Sequence, residues 1–301
     1  MHEALRSEDA SIGAMLERRD LVLVTGKGGT GKSTLVAALA EIAARRRGRA
    51  LAVEISAHPR LPGILGGSPS VRTLNLVAED VVAKVLGRLM GLQPLVNAVV
   101  KNRVVRQFIQ TSPAVRETIL LDELRFQVET CAREGCPVIV DLPATGHAVS
   151  FLDTPRSVRR MLRVGPVANA AARVEELFLD RRRCELVVVA LPEELPVNET
   201  IELLRRAADV GIACRRVVVN QVPAQPVEPH DKPLLDVIKE DASTIGRFAR
   251  AAHGDSEGAD QARAQVERLR ASVSAEILEL PRLPTTDPRA CVDAIKGVLD
   301  P

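Results

Sequence analysis

Short apolar runs recur along the chain with longer helix-forming stretches between them: LVLVT at 21–25, ALAVEI at 50–55, PVIVD at 137–141, ELVVVAL at 185–191, RVVVN at 216–220 and EILEL at 276–280. These runs are nearly all apolar and rich in Val, the pattern of strands covered by helices on both faces. Their alternation with helices predicts an α/β fold, doubly wound about a mostly parallel sheet. The helix after the first strand carries its own stop signal: Ala38 to Ala44 is helix-forming, and RRRG at 45–48 supplies terminal cations and then a glycine.

The whole chain, 1–301, reads as one domain, with an insertion at about 60–135 whose pattern is mostly helical. Val81, Val82, Val85, Leu86, Leu89, Met90, Leu92, Leu95, Val96, Val99 and Val100 form a broad apolar stripe there, followed by Val104, Val105, Phe108 and Ile109. Such a stripe packs a helical subdomain against itself or lines a groove for an apolar partner. A second helical stretch spans 155–182. Residues 223–270 begin as a Pro-rich loop and continue as a charged, Ala-rich helix, and TTDPRACVDAIKGVL closes with a helix opened by Asp287-Pro288.

Composition narrows the classes. Forty-one basic residues stand against 39 acidic ones, and Trp and Tyr are absent, so neither a nucleic-acid footprint nor an aromatic base platform is expected. No run reaches the roughly 18–20 apolar residues of a membrane span, and the first residues lack a secretory apolar core, which predicts a cytoplasmic protein. The five cysteines (Cys131, Cys136, Cys184, Cys214, Cys291) form no C-x-x-C pair and read as reduced thiols.

The chemistry begins at GKGGTGKST, residues 26–34. Gly26, Gly31, Lys32 and Ser33 satisfy G-x-x-x-x-G-K-[ST] between a strand and a helix, the context a phosphate-binding P-loop requires. Gly28, Gly29, Thr30 and Thr34 complete the turn. Glycines let successive N–H groups point at phosphate oxygens, and the helix N-terminus adds partial positive charge. Lys32 neutralises the β and γ phosphates, and Ser33 places its hydroxyl on Mg²⁺. Lys27, directly after the first glycine, marks a subgroup. In the deviant P-loop ATPases that this loop resembles, that lysine reaches across a dimer interface to the partner's phosphates, where a cation stabilises charge on the transferred phosphoryl group.

Asp141 ends a strand at the carboxyl edge of the sheet and is the Walker B candidate, a second protein oxygen for Mg²⁺ through water. Thr145, Gly146 and His147 follow on the phosphate side as a γ-phosphate sensor.

GKGGTGKST at 26–34, DLPATGH at 141–147, LPEELPVNET at 191–200 and VVVNQ at 217–221 together resemble the arsenite-pump and tail-anchored-protein-targeting ATPases, the ArsA-like family. SPAVRE at 112–117, DLPATGHAVSFLDTP and RVGPVA are similar to its bacterial single-domain branch. The resemblance implies ATP and Mg²⁺ as cofactors, and a homodimer or a heterodimer with a paralogous ATPase. It also implies a protein client met through the helical insertion, and it sets Asn220 next to adenine with the loop at Pro281 completing the base pocket. An amide at a strand end both donates to and accepts from adenine.

Two departures limit what the family implies. Its switch I contains an Asp that orients the attacking water, whereas here the stretch reads Val53-Glu54-Ile55-Ser56-Ala57-His58, with Ile55 or Ser56 at the Asp position. Glu54 is then the nearest carboxylate, close to the Mg²⁺ waters, and Ser56 and His58 flank it in the switch. Water-positioning groups contribute about 10²–10⁴-fold, so weakened hydrolysis is expected. The zinc-binding C-x-x-C pair of the targeting factors is also missing, which disfavours an iron–sulfur carrier, and Cys131 and Cys136 lack the family's metalloid-binding arrangement, which leaves arsenite transport unsupported. The expected function is a nucleotide-driven conformational switch. The alternatives are a non-catalytic ATP-binding scaffold and, less in keeping with the C-terminal DAIKGVLDP, a positioning ATPase.

Overall fold

The computed structural model describes residues 11–77, 81, 84–85, 112–143, 148–228 and 230–301. Thr145, Gly146, His147 and most of the apolar stripe of the insertion lie outside the described residues.

The described elements run α1 (Ile12–Arg18), β1 (Leu21–Gly26), α2 (Lys32–Arg47), β2 (Ala50–Glu54), α3 (Leu61–Leu65), β3 (Val71–Asn75), α4 (Pro113–Arg133), β4 (Val138–Asp141) and α5 (Ala148–Met161). They continue α6 (Pro166–Leu179), β5 (Cys184–Ala190), α7 (Glu194–Asp209), β6 (Cys214–Val222), α8 (Lys232–Ile238), α9 (Thr244–Ser272), β7 (Glu276–Pro281) and α10 (Pro288–Leu299). All six apolar runs are strands. They join one seven-stranded sheet of order β3-β2-β4-β1-β5-β6-β7, in which every pairing is parallel.

The seventh strand, β3, lies inside the stretch read as mostly helical. Its sequence VRTLN has one buried residue followed by two exposed ones, the pattern of a sheet edge rather than a buried run. The stretch 155–182 is likewise two helices, α5 and α6, parted at Gly165, whose φ of 110° no helix accommodates.

Period-two alternation sorts the strand residues into two cores. Leu21, Leu23, Val138, Val140, Leu186 and Val188 point to the face covered by α4 to α7, whereas Val22, Val24, Ile139, Val187 and Val189 point to the face covered by α1, α2 and α10. Each fully buried Val or Leu contributes about 1.5–3 kcal/mol. Of the insertion's stripe, Val81 and Val85 are buried in the first of these cores. The cations and glycine predicted to end α2 do so, with Gly48 at φ 82° after Arg47. Asp287 caps α10 by accepting from the Ala290 N–H at 2.7 Å. Among the described residues no helix is long and apolar enough to cross a membrane.

Candidate active site

Strand order builds the site. Because β4 lies between β1 and β2, Asp141 is registered with Val24 on one side and Glu54 on the other, at the carboxyl edge where the loop 26–31 leaves β1. β5 lies on the far side of β1, with Val189 opposite Gly26. Parallel register therefore gathers at one edge the glycine loop and Asp141, which is more than a hundred residues away in sequence.

The loop has the shape its glycines imply. Gly29 and Gly31 sit at φ 83° and 91°, and Gly26 at φ 153° is pressed so closely that a Cβ there would stand 2.3 Å from the Val189 carbonyl oxygen. A Cβ on Gly31 would stand 2.4 Å from Asn220 Nδ2. The Thr30 hydroxyl donates to the Lys27 carbonyl at 2.9 Å, and α2 starts at Lys32.

Lys32 is buried at the helix start, and its ammonium donates to the Lys27 carbonyl at 3.3 Å. Burial pulls its pKa down, and the attraction of Asp141 opposes that shift. Ser33 Oγ donates to Asp141 Oδ2 at 2.5 Å. Burial raises the Asp141 pKa, against the Ser33 hydrogen bond and the Lys32 charge, with nearby Glu54 pushing it up further. A hydroxyl and a buried carboxylate whose negative charge is undercompensated form a hard-oxygen donor pair, the kind that Mg²⁺ takes alongside phosphate oxygens. The glycine cradle, Lys32, Ser33 and Asp141 thus fit a magnesium-bound nucleotide.

Lys27 stands apart from this group. Its ammonium pairs with Glu199 of α7 at 3.0 Å, and both side chains are about half exposed, 49% and 47%. The pair lines a cavity of about 460 Å³ between the loop, α5 and α7, which Arg206 also borders.

In the switch I stretch the side chains are committed locally. Glu54 Oε2 accepts from the Arg60 N–H at 2.7 Å and the Leu61 N–H at 3.0 Å, holding the start of α3. Ser56 Oγ accepts from the His58 N–H at 3.0 Å in a tight exposed turn. Ile55 packs against the core.

The Asn220 amide is drawn into the loop: Nδ2 donates to the Thr30 carbonyl at 2.8 Å, and Oδ1 accepts from the Gln221 N–H at 2.9 Å. Beyond it a cavity of about 770 Å³ is lined by Leu191, Pro192, Gln221, Pro223 and Arg282 among others. Pro281 ends β7 paired with Val222, and it is the next residue, Arg282, that faces this cavity. Gln221 adopts the left-handed region at φ 60°, the one non-glycine to do so among the described residues. Sequence reasoning missed Glu199, Gln221 and Arg282 as site residues. Glu199 lay within LPEELPVNET, whereas nothing in the local pattern marks Arg282.

Residues 19–169, which carry the loop, Asp141 and the sheet that joins them, match the sequence profile of the anion-transporting ATPases. The chain belongs to the anion-transporting ATPase family. A relative within reach of close alignment is the ATPase BagA of Mycobacterium tuberculosis, 31% identical over 234 residues covering 70% of this chain and 67% of that one. The ATPase ASNA1 homolog of Babesia bovis is 24% identical over 240 residues, 67% of this chain and 66% of its own. Membership of this ATPase family accords with a loop and a donor set suited to ATP.

Proposed function

We propose that this chain is a magnesium- and ATP-dependent conformational switch that works as a dimer in the cytoplasm, with itself or with a paralogous ATPase, and that ATP closes the dimer to capture or release a protein client through the insertion. The observation that carries this reading is the division of labour between two lysines. Lys32 is buried within the loop that would hold phosphate, whereas Lys27 is half exposed and paired with Glu199 on α7. A cation so placed is free to serve phosphates across an interface at the cost of one exposed ion pair.

The residues divide the work. The loop's glycines and the N-terminus of α2 receive phosphate, and Lys32 balances its charge. Ser33 and Asp141 would hold magnesium, which would supply charge neutralisation on the bound phosphates. The cavity lined by Leu191, Gln221 and Arg282 receives the base, with Asn220 fixing the loop that borders it. A γ phosphate is the differential contact such a switch requires.

A second reading, a nucleotide-binding scaffold that hydrolyses poorly, is favoured by the switch I stretch. Glu54 is held by two backbone N–H groups, and Ile55 and Ser56 offer no carboxylate to orient water.

Light scattering with Mg-ATP, run beside steady-state turnover, tests both. Nucleotide-driven dimerisation that Lys27→Ala abolishes is the expected result for the switch. An assembly state indifferent to ATP and to Lys27, with negligible turnover, would leave the scaffold. Absence of any ATP binding would end both readings.

A further inference from the structure

At the other end of β4 from Asp141 lies a feature that the nucleotide chemistry does not use. Helix α4 ends in a paired backbone motif: the Cys136 N–H donates to the Cys131 carbonyl at 2.9 Å and the Gly135 N–H to the Ala132 carbonyl at 3.1 Å, with Gly135 at φ 68°. This is the Schellman arrangement, in which the residue after the left-handed glycine meets the side chain near the helix end that it bonds back to. In most proteins that contact is between two hydrophobes. Here both positions are cysteines.

We propose that Cys131 and Cys136 form a reversible intrachain disulfide, a dithiol site oxidised by a hydroperoxide, because the turn that terminates α4 ties the two residues together through a backbone hydrogen bond. Both are free thiols and both are buried, at 0% and 5% exposure. Arg72 of β3 donates through Nη2 to Cys131 Sγ at 3.5 Å. The proximity of Cys136 and the Arg72 charge lower the Cys131 pKa, while Cys131 and burial push Cys136 up, and the Cys136 thiol donates to the Pro137 carbonyl at 3.8 Å. Cys131, the sulfur that the Arg72 guanidinium contacts, is the one whose thiolate is favoured. Among the described residues no cluster of three or more Cys, His, Asp or Glu side chains suited to a metal ion forms, which favours a disulfide over a metal for this pair. A helix end is also where local opening costs least, which gives a small oxidant access.

The chemistry balances with one hydroperoxide. The Cys131 thiolate attacks a peroxide oxygen, the O–O bond breaks, and the departing hydroxide takes a proton to become water, leaving a sulfenic acid. Cys136 sulfur then attacks Cys131 sulfur. The S–S bond forms as the S–OH bond breaks, and the hydroxide leaves as water with the Cys136 proton. Two thiols are oxidised, and one peroxide is reduced to two waters. The remaining cysteines are less prepared: burial raises Cys184 and pushes Cys214 up to about 12, and it raises Cys291 as well.

The test is treatment of the reduced full chain with hydrogen peroxide, alkylation of the remaining thiols, and tryptic digestion without reductant. Trypsin cleaves after Arg133, so a disulfide joins two peptides that would otherwise separate. The expected result is a mass loss of about 2 Da, two hydrogens, with Cys131 and Cys136 peptides linked and released again by dithiothreitol. In Cys136→Ser, Cys131 is expected to stop at a dimedone-reactive sulfenic acid carrying one added oxygen. The proposal is overturned if the wild-type pair remains fully alkylatable under peroxide that oxidises Cys291, or if Cys184 and Cys214 oxidise as fast as the pair. The readout involves no nucleotide, so its failure leaves the ATPase reading untouched.

Discussion

The Ser33 hydroxyl donates to Asp141 Oδ2 at 2.5 Å, joining the first turn of α2 to the end of β4 across 108 positions of sequence. That bond and Lys32 only partly offset the burial of the carboxylate, whose pKa stays above the ordinary aspartate value. A group raised on folding stabilises the protein below its unfolded pKa, and that contribution is lost as pH rises through the folded value. Asp141→Asn is therefore expected to raise the melting temperature of the nucleotide-free protein at neutral pH. The gain should shrink as pH falls toward about 4, followed by thermal denaturation across that range. The same variant should lose magnesium-dependent ATP turnover, a stability gain bought with function.

The Lys27–Glu199 pair predicts the opposite separation. Both side chains are about half exposed, so Lys27→Ala should change unfolding free energy by less than about 1 kcal/mol in urea titration. Turnover and ATP-driven assembly should nonetheless fall. Lys32→Ala, removing the buried cation, should cost about 10²–10³-fold in turnover, the range for a lost electrostatic stabiliser.

Glycines of one loop should differ in what they tolerate. Gly26→Ala drives a Cβ to 2.3 Å from the Val189 carbonyl, whereas Gly29→Ala meets nothing within 4 Å and carries only its positive φ. Equilibrium unfolding is expected to show a loss of about 3 kcal/mol for the first and about 1 kcal/mol for the second. Equal losses would mean that the approach of β5 to the loop is not as tight as described.

Far from the loop, at the start of the strands, Glu185 is 1% exposed between Arg216 at 2.7 Å and Arg19 at 3.3 Å. Glu185→Gln removes the buried charge that both guanidinium groups share, leaving Arg216 its second partner Glu276 at 3.1 Å, and should cost about 3 kcal/mol, read as a fall in the denaturation midpoint. ATP binding by the protein that remains folded should be unchanged.

Five of the six strands were legible because each is largely buried and so is written as a continuous apolar run, and β7, at the other sheet edge with Leu280 alone buried, because EILEL still carries three apolar residues. β3 was not, since VRTLN lies at the sheet edge with Arg72 and Thr73 exposed, and an edge strand owes its pairing to a neighbour rather than to its own hydrophobicity. The same holds within the site. The phosphate loop is a local motif whose glycines state their backbone angles in advance, and Asp141 advertises itself by ending a Val-rich strand. The bond from Asn220 to Thr30, 190 positions apart, has no local signature, nor has the pairing of Lys27 with Glu199, 172 apart.

What the sequence by itself determined is the layered parallel fold, the phosphate loop and the carboxylate beside it, all of which follow from period, propensity and short-range geometry. Only tertiary structure decided which cation is buried and which is left on the surface, that Glu54 is held by the start of α3, and that Arg282 rather than Pro281 faces the larger cavity. The physical reason is that burial and partner choice depend on which strands become neighbours. That order, β3-β2-β4-β1-β5-β6-β7, is set by packing the whole chain at once.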